Sequence, residues 1–239
     1  MSEPSRIKQL DDRTIGHIAA GEVVERPAQV VKELIENSID AKSSRITVEI
    51  DRGGFDLIRI TDDGSGIHEQ DLSLSLDRHA TSKLSNEGDL AAIGTLGFRG
   101  EALASIGMVS KLSISSRPQG TEGRRIVMDN GNKGKIEPVG IAEGTSIEVS
   151  QIFANQPARL AFQRRPATET SKIVDVVVSH AISHPEVGFR LVSDEKTILE
   201  VPAVDEMEDR LYDVLGRQAG KMIPISAPTT DSDAPGDER

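Results

Sequence analysis

Four stretches of this chain carry residue types whose spacing could do chemistry. The first is Glu33 and Asn37, four residues apart in a run that reads as helix. At about 100° per residue, Val31, Leu34, Ile35 and Ser38 fall on one side. Glu33, Glu36, Asn37 and Asp40 fall on the other. A carboxylate one turn from an amide oxygen sets a general base beside a hard ligand. Mg²⁺ accepts such a ligand and keeps its waters. The same pattern also describes an ordinary wet helix face. The second stretch is Asp62-Asp63-Gly64-Ser65-Gly66. Glycines let the backbone approach a ligand closely, and an aspartate at a strand end can accept from an exocyclic amine such as adenine's. Standing alone, the loop is equally a tight Asp-Gly turn. The third is Gly94, Gly97 and Gly100, followed by a helix from Glu101. N–H groups at a helix start suit phosphate, with Lys83 and Arg99 to add charge. The fourth is weaker. His180 and His184 sit one turn apart, but no third ligand is spaced to join them, and their apolar neighbours argue for packing. His68-Glu69 opens like a zinc-protease motif, but Leu72 stands where the second histidine belongs.

The elements that must position these residues follow from periodicity and punctuation. Asp11 or Asp12 caps a first helix through Ile15, Ile18 and Ala19. Pro27 suits the first turn of a second, running to about Ala41. Residues 45–50 alternate as a half-buried strand, turn at Gly53-Gly54 and return over 57–60 as a hairpin. A helix is expected over 69–77, a glycine-punctuated mobile segment over 78–100, and a helix over 101–106. Strands are expected over 109–116, 124–128, 135–139 and 146–149. A long helix over 169–182, strands over 188–192 and 197–201, and a helix over 205–215 complete the pattern. Blocks of helix and mostly antiparallel strand favour an α+β sandwich over a doubly wound sheet.

Composition narrows the function classes. The 239 residues carry a net charge of −11, which argues against holding nucleic acid through global basicity. Residues 200–239 hold ten acidic residues against four basic ones, so much of that charge is local. Basic clusters remain at Arg117, Arg124, Arg125, Lys133 and Lys135, and at Arg159, Arg164 and Arg165. Aromatic residues make up 3% and Trp is absent, which disfavours base stacking as the main activity. Cysteine is absent, which excludes a disulfide scaffold and thiolate chemistry. No run approaches the ~18 apolar residues of a membrane span, and the N-terminus lacks signal-peptide form. No Gly-x-x-x-x-Gly-Lys-Ser/Thr occurs, and the glycine triplet does not match the dinucleotide fingerprint.

Taken together the segments are far more specific than any one alone. Ile18-Ala-Ala-Gly-Glu-Val-Val-Glu-Arg-Pro27 leads into Val31-Lys-Glu-Leu-Ile-Glu-Asn-Ser-Ile-Asp-Ala41. Asp62-Asp-Gly-Ser-Gly-Ile67, Arg78-His-Ala-Thr-Ser-Lys83, Gly97-Phe-Arg-Gly-Glu-Ala-Leu-Ala-Ser-Ile106 and Gly144-Thr-Ser-Ile-Glu-Val149 follow. This set resembles the N-terminal ATPase domain of the MutL family of DNA mismatch-repair proteins. That family shares a superfamily with DNA gyrase, a major chaperone and histidine kinases. The resemblance is dense over about residues 7–165 and looser to about 225.

The resemblance implies a two-layer α/β sandwich of the Bergerat ATP-binding type over residues 1–150. A junction over 151–165, a partial second domain over 166–225 resembling the ribosomal-protein-S5-like fold, and a disordered acidic tail over 226–239 would follow. It implies ATP and Mg²⁺ as ligands. Glu33 matches the general base that activates water for attack on the γ-phosphate. Asn37 matches the Mg²⁺ ligand, and Asp62 the aspartate that reads the adenine amine, with Gly64 and Gly66 beside it. Thr81, Ser82 and Lys83 match a nucleotide-contacting lid. Gly97, Arg99, Gly100, Glu101, Ala102 and Leu103 match the loop that wraps the phosphates, and Thr145 the threonine beneath the adenine. Slow hydrolysis would then act as a conformational switch that couples mismatch recognition to repair. The alternative is a non-hydrolytic ATP-binding module. Implied partners are a MutS-like mismatch recognition protein, a second such domain joined in an ATP-dependent way, and DNA only through local basic patches. A cytoplasmic place is implied, at the nucleoid in a prokaryote. Three departures stand out. Asp63 replaces a common Asn, and Ala154 and Gln156 replace an aromatic and a Thr at the junction. The family's second-subdomain lysine motif and its C-terminal region have no match before Arg239, so a short form or a fragment is expected.

Overall fold

The computed structural model describes Gln9, residues 11–83, Leu96, Gly97 and residues 100–221. Arg99 and the 226–239 tail, for which the sequence gives expectations, lie outside the described residues, as do residues 84–95 of the expected mobile segment.

The chain opens with helix α1 (Asp12–Val23), capped by Asp11, whose Oδ1 accepts from the Thr14 N–H at 2.9 Å. Helix α2 (Pro27–Asp40) starts on its proline, whose fixed φ suits a first turn. Strands β1 (Arg45–Asp51) and β2 (Leu57–Asp62) form the expected hairpin. The helix expected over 69–77 is shorter. It is α3 (Glu69–Leu72) followed by a 3₁₀ turn over Leu74–Leu76, where the Ser75 hydroxyl takes the Leu72 carbonyl at 2.8 Å. Helix α4 (Ala102–Met108) and strands β3 (Lys111–Arg117) and β4 (Arg124–Asp129) come next. The strand expected over 135–139 is only the two-residue β6 (Glu137–Pro138) on β4, preceded by an unexpected fragment, β5 (Asn132–Lys133), on the same strand. Strand β7 (Gly144–Ser150) and helices α5 (Pro157–Ala161) and α6 (Pro166–Ser183) follow. Strands β8 (Gly188–Ser193) and β9 (Lys196–Val201) and helix α7 (Met207–Leu215) complete the described chain. Among the described residues, no helix is long and apolar enough to cross a membrane.

All the strands join one sheet in the order β5-β4-β3-β7-β2-β1-β8-β9, with β6 also on β4. Neighbours run antiparallel except β1 and β8, which are parallel, so the sheet is mixed. Alternation puts Ile46, Val48 and Ile50, Ile58 and Ile60, Ile147 and Val149, and Leu112 and Ile114 on one buried face. Val31, Leu34 and Ile35 of α2, Ile106 of α4 and Ile173 and Val177 of α6 belong to the same core. The opposite face is polar. There Arg59 spans Glu148 at 2.9 Å and Glu49 at 3.2 Å, and Thr61 meets Ser146 at 3.0 Å.

The elements after the junction pack on and pair with those before it. Residues 188–201 extend the first sheet, because β8 pairs with the outer edge of β1. Helix α6 packs on α2, where buried Glu169 takes Arg26 bidentately at 2.7 and 3.1 Å. Helix α7 is stapled to the same body by Arg210. This buried side chain donates to the carbonyls of Ala181, Pro185, Val187 and Pro202 at 2.6–2.9 Å. The junction segment has a bracing role. Arg159 donates to the Gly21 and Val24 carbonyls at the end of α1, and Gln163 to the Glu25 carbonyl.

Candidate nucleotide site

Three strands end side by side in polar residues. Each continues an inward apolar column: Ile58-Ile60-Asp62, Val149-Ile147-Thr145 and Leu112-Ile114-Ser116. Register places Asp62 opposite Thr145, and Thr145 opposite Ser116, so the three make a ledge across β2, β7 and β3. All three are buried. Ser116 Oγ donates to the Gly144 carbonyl at 3.0 Å. It then accepts from the Ile67 N–H at 2.8 Å and from the Thr145 hydroxyl at 2.9 Å. Asp62 Oδ2 accepts from the Ser38 hydroxyl at 2.8 Å and Oδ1 from the Gly64 N–H at 2.9 Å. Burial raises the Asp62 carboxyl above its ordinary value, and those hydrogen bonds offset the rise only in part. A ledge of carboxylate and hydroxyl lone pairs suits a donor such as an exocyclic amine and disfavours a carbonyl oxygen.

The glycines beside the ledge are pressed against the protein's own chain. A Cβ on Gly64 would stand 2.6 Å from Ser43 Oγ and 2.8 Å from the Ala41 carbonyl. Gly66, at φ +73°, would meet the Pro118 nitrogen at 2.7 Å. Asp63, next to the ledge, points elsewhere. It accepts from Ser44 and Arg45 N–H groups at 2.8 Å and ties the end of β2 to the start of β1. Burial would raise its carboxyl, but those bonds outweigh it and hold it below the ordinary range.

The second cluster lies one residue along α2. Asn37 Oδ1 accepts the Lys83 ammonium at 2.8 Å, and the same ammonium sits 2.5 Å from Asp40 Oδ2. Asp40 also accepts from the Leu96 and Gly97 N–H groups at 3.1 and 3.2 Å. Glu33 lies one turn before Asn37, half-buried, with Lys32 at 4.0 Å among its neighbours. The Lys83 N–H donates to Thr81 Oγ1 at 3.1 Å, and Ser82 is exposed. Gly100, at φ +63°, runs against Ala80, where a Cβ would stand 2.5 Å from the carbonyl oxygen. Glu101 meets His79 at 3.4 Å, and half-buried Ala102 and Leu103 open α4.

Glu36 does not join this polar face, contrary to the helical-wheel grouping. It is buried under α6, with Lys32 at 2.7 Å and His180 at 3.7 Å. The wheel treats α2 as having a single apolar partner and cannot see that a second helix covers it. His180 gives Nδ1 to the Val176 carbonyl of its own helix at 2.8 Å, and His184 pairs with Glu186. Sequence reading missed Ser116 and the working roles of Ser38 and Asp40. A faint signal existed, since Ser116 and Ser38 each interrupt an apolar stripe.

One family model matches residues 25–152, which hold both clusters; its description is "Histidine kinase-, DNA gyrase B-, and HSP90-like ATPase". The chain belongs to this ATPase family. Within it the likeness is to the MutL branch. The DNA mismatch repair protein MutL of Thermoanaerobacter sp. (strain X514) is 48% identical over 215 residues, covering 90% of this chain and 35% of that protein. MutL of Streptococcus equi subsp. equi is 45% identical over 232 residues, covering 96% and 35%. Among solved structures, the Aquifex aeolicus MutL ATPase domain complexed with ADP matches at a TM-score of 0.68. It is 34% identical and covers 81% of this chain and 70% of that one. The chain thus spans about a third of the length of the curated relatives it matches. The ATPase-family match ends at Ile152, so β8 and β9 complete the sheet from beyond it.

Proposed function

We propose that this chain binds ATP between α2 and the ledge and hydrolyses it slowly with Mg²⁺. The observation that carries the reading is the adjacency of Asn37 and Ser38 on α2. Ser38 braces Asp62 at the sheet end, while Asn37 faces the Lys83 cluster. One rigid helix therefore fixes the spacing between a base-reading end and a phosphate end. Asp62 accepts the adenine amine, with Thr145 and Ser116 behind it. Gly97, Gly100, Glu101, Ala102 and Leu103, with Thr81, Ser82, Lys83 and Arg99, match the segments that surround the phosphates in the MutL family.

The metal reading is supported by the donor set. Asn37 and Asp40 already hold a cation, the Lys83 ammonium, through hard oxygens. No trio of His, Cys, Asp or Glu converges among the described residues. A divalent ion here would hence need phosphate oxygens and water beside Asn37, which is how Mg²⁺ is commonly held. When bound it neutralises charge that develops on the phosphates. Glu33 sits where a carboxylate can take the proton of an attacking water. The nucleotide then acts as a switch in DNA mismatch repair, with a MutS-like recognition protein, a second copy of the domain and weak DNA contacts as partners.

Single-turnover hydrolysis tests this. The unsubstituted chain should release phosphate, and Glu33→Ala should slow release by roughly 10²–10⁴-fold while ATP affinity stays within a few-fold. Unchanged release in Glu33→Ala would remove Glu33 as the base. Bound ATP with no release from the unsubstituted chain would leave a non-hydrolytic module instead.

A further inference from the structure

The Asn37 oxygen that would face a divalent cation already has a positively charged partner. Lys83 Nζ lies 2.8 Å from Asn37 Oδ1 and 2.5 Å from Asp40 Oδ2. Both charged side chains are largely shielded, at 19% exposure for Lys83 and 9% for Asp40. Asp40 holds more than the ammonium. Its two oxygens also take the Leu96 and Gly97 N–H groups, which fixes the carboxylate's orientation from a second side. Gly97 closes over the pair. A methyl there would stand 3.1 Å from Nζ, tight against it, and 3.7 Å from Asn37 Oδ1, in ordinary contact.

We propose that Asp40 is a positioning residue that holds the Lys83 ammonium on the Asn37 oxygen, so that this ammonium and a divalent cation are alternative partners of one atom. The inference rests on the nucleotide reading above. An ammonium and a dication on the same amide oxygen would stand within about 5 Å of each other. Repulsion at that range outweighs what one shared neutral oxygen returns. Metal entry therefore requires Lys83 to leave Asn37, and Asp40 keeps the displaced ammonium at the rim of the same site. Without metal, Lys83 supplies the positive charge there. With metal, it has to yield its place.

The test is the advantage Mg²⁺ gives to ADP binding, measured as the ratio of dissociation constants in EDTA and in Mg²⁺. Calorimetric titration of the full 239-residue chain supplies both constants, and ADP avoids turnover. Lys83→Met should raise the ratio at least threefold, because the competitor is gone with metal and the substitute charge is gone without it. Asp40→Asn should raise it in the same direction. Lys83→Arg, which keeps a cation on Asn37, should leave it near the unsubstituted value. A purely structural role, or a role in phosphate binding alone, weakens ADP equally in both buffers; an unmoved ratio in Lys83→Met overturns the proposal even if Asp40→Asn does not fold. No ADP binding by the unsubstituted chain in either buffer overturns the nucleotide reading, and the inference falls with it.

Discussion

The two ends of the α2 site are built by different means. At the ledge, Asp62, Thr145 and Ser116 are held by strand register, and their partners are neighbouring strands, a backbone N–H and the Ser38 hydroxyl. At the other end, Asn37 and Asp40 are held from one side by α2. From the other side they are met by a long lysine and by loop N–H groups. Short buried side chains on a sheet have few other partners within reach. A lysine can reach others by rotating a few bonds. The end proposed to read a neutral base is therefore set during folding. The end that meets charge keeps contacts it can give up.

The largest effect is expected where the ledge is broken outright. Gly144, at φ +113°, would place a Cβ 2.0 Å from the Asp62 carbonyl oxygen. Gly144→Ala should cost about 3 kcal/mol or more in a urea melt, from backbone strain plus overpacking. Survival of full stability would show that the ledge can shift, and the contrast with the lysine end would fail. A smaller effect, with opposite signs on stability and binding, is expected from Asp62→Asn. Burial holds this carboxyl above its unfolded value. The folded chain thus keeps its proton longer, and the resulting stability falls as pH rises from the unfolded value through the raised folded one. At neutral pH the ionised group is a cost, which the amide removes. Asp62→Asn should melt no lower than the unsubstituted chain, yet bind ATP roughly 10–100-fold more weakly through loss of a charged hydrogen bond. ATP affinity of the unsubstituted chain should decline on acidification already above the ordinary carboxylate range. A variant that loses stability and keeps affinity would reverse the assignment of Asp62.

The smallest effect belongs to Asp63→Asn. This neighbour is held below the ordinary range by bonds to Ser44 and Arg45. Its stabilisation is present above the unfolded value and lost as pH falls through the lowered folded one. The substitution should shave stability at neutral pH, with the deficit shrinking in acid. ATP affinity should not change, and a nucleotide titration beside a thermal melt would show a base-reading role for Asp63 if it did.

Much of the site was legible because helical and strand periods report direction. The i, i+4 spacing set Glu33 and Asn37 on one face of α2, and alternation over 57–60 put the Asp62 loop just beyond a strand. The Asp-Gly loop marked the turn. Less visible were contacts that depend on what comes back from far along the chain. Glu36 looked wet because α6, more than a hundred residues later, could not be placed over it. Ser116 looked like one strand serine among several, since only the register of β3 on β7 makes it part of the ledge. Sheet membership beyond the junction was hidden for the same reason. A composition shift near 155–165 marks a change of surroundings, whereas sheet membership is decided by the pairing of β8 with β1. Pro166, which opens α6 as Pro27 opens α2, was the missed local clue to where that helix begins.

That pairing also constrains the order in which the molecule can be made. β1 is synthesised early, yet its outer edge is covered only by residues 188–193. A nascent chain that has emerged as far as β7 has the ledge and α2 but still presents the hydrogen-bonding edge of β1, alongside an Arg26 whose carboxylate partner has not arrived. Open strand edges of this kind pair readily with other chains. Maturation of the nucleotide-binding fold is thus gated by translation past Val201. Shortening the chain at the composition boundary, rather than at the end of the sheet, would produce an aggregating species instead of a smaller working domain.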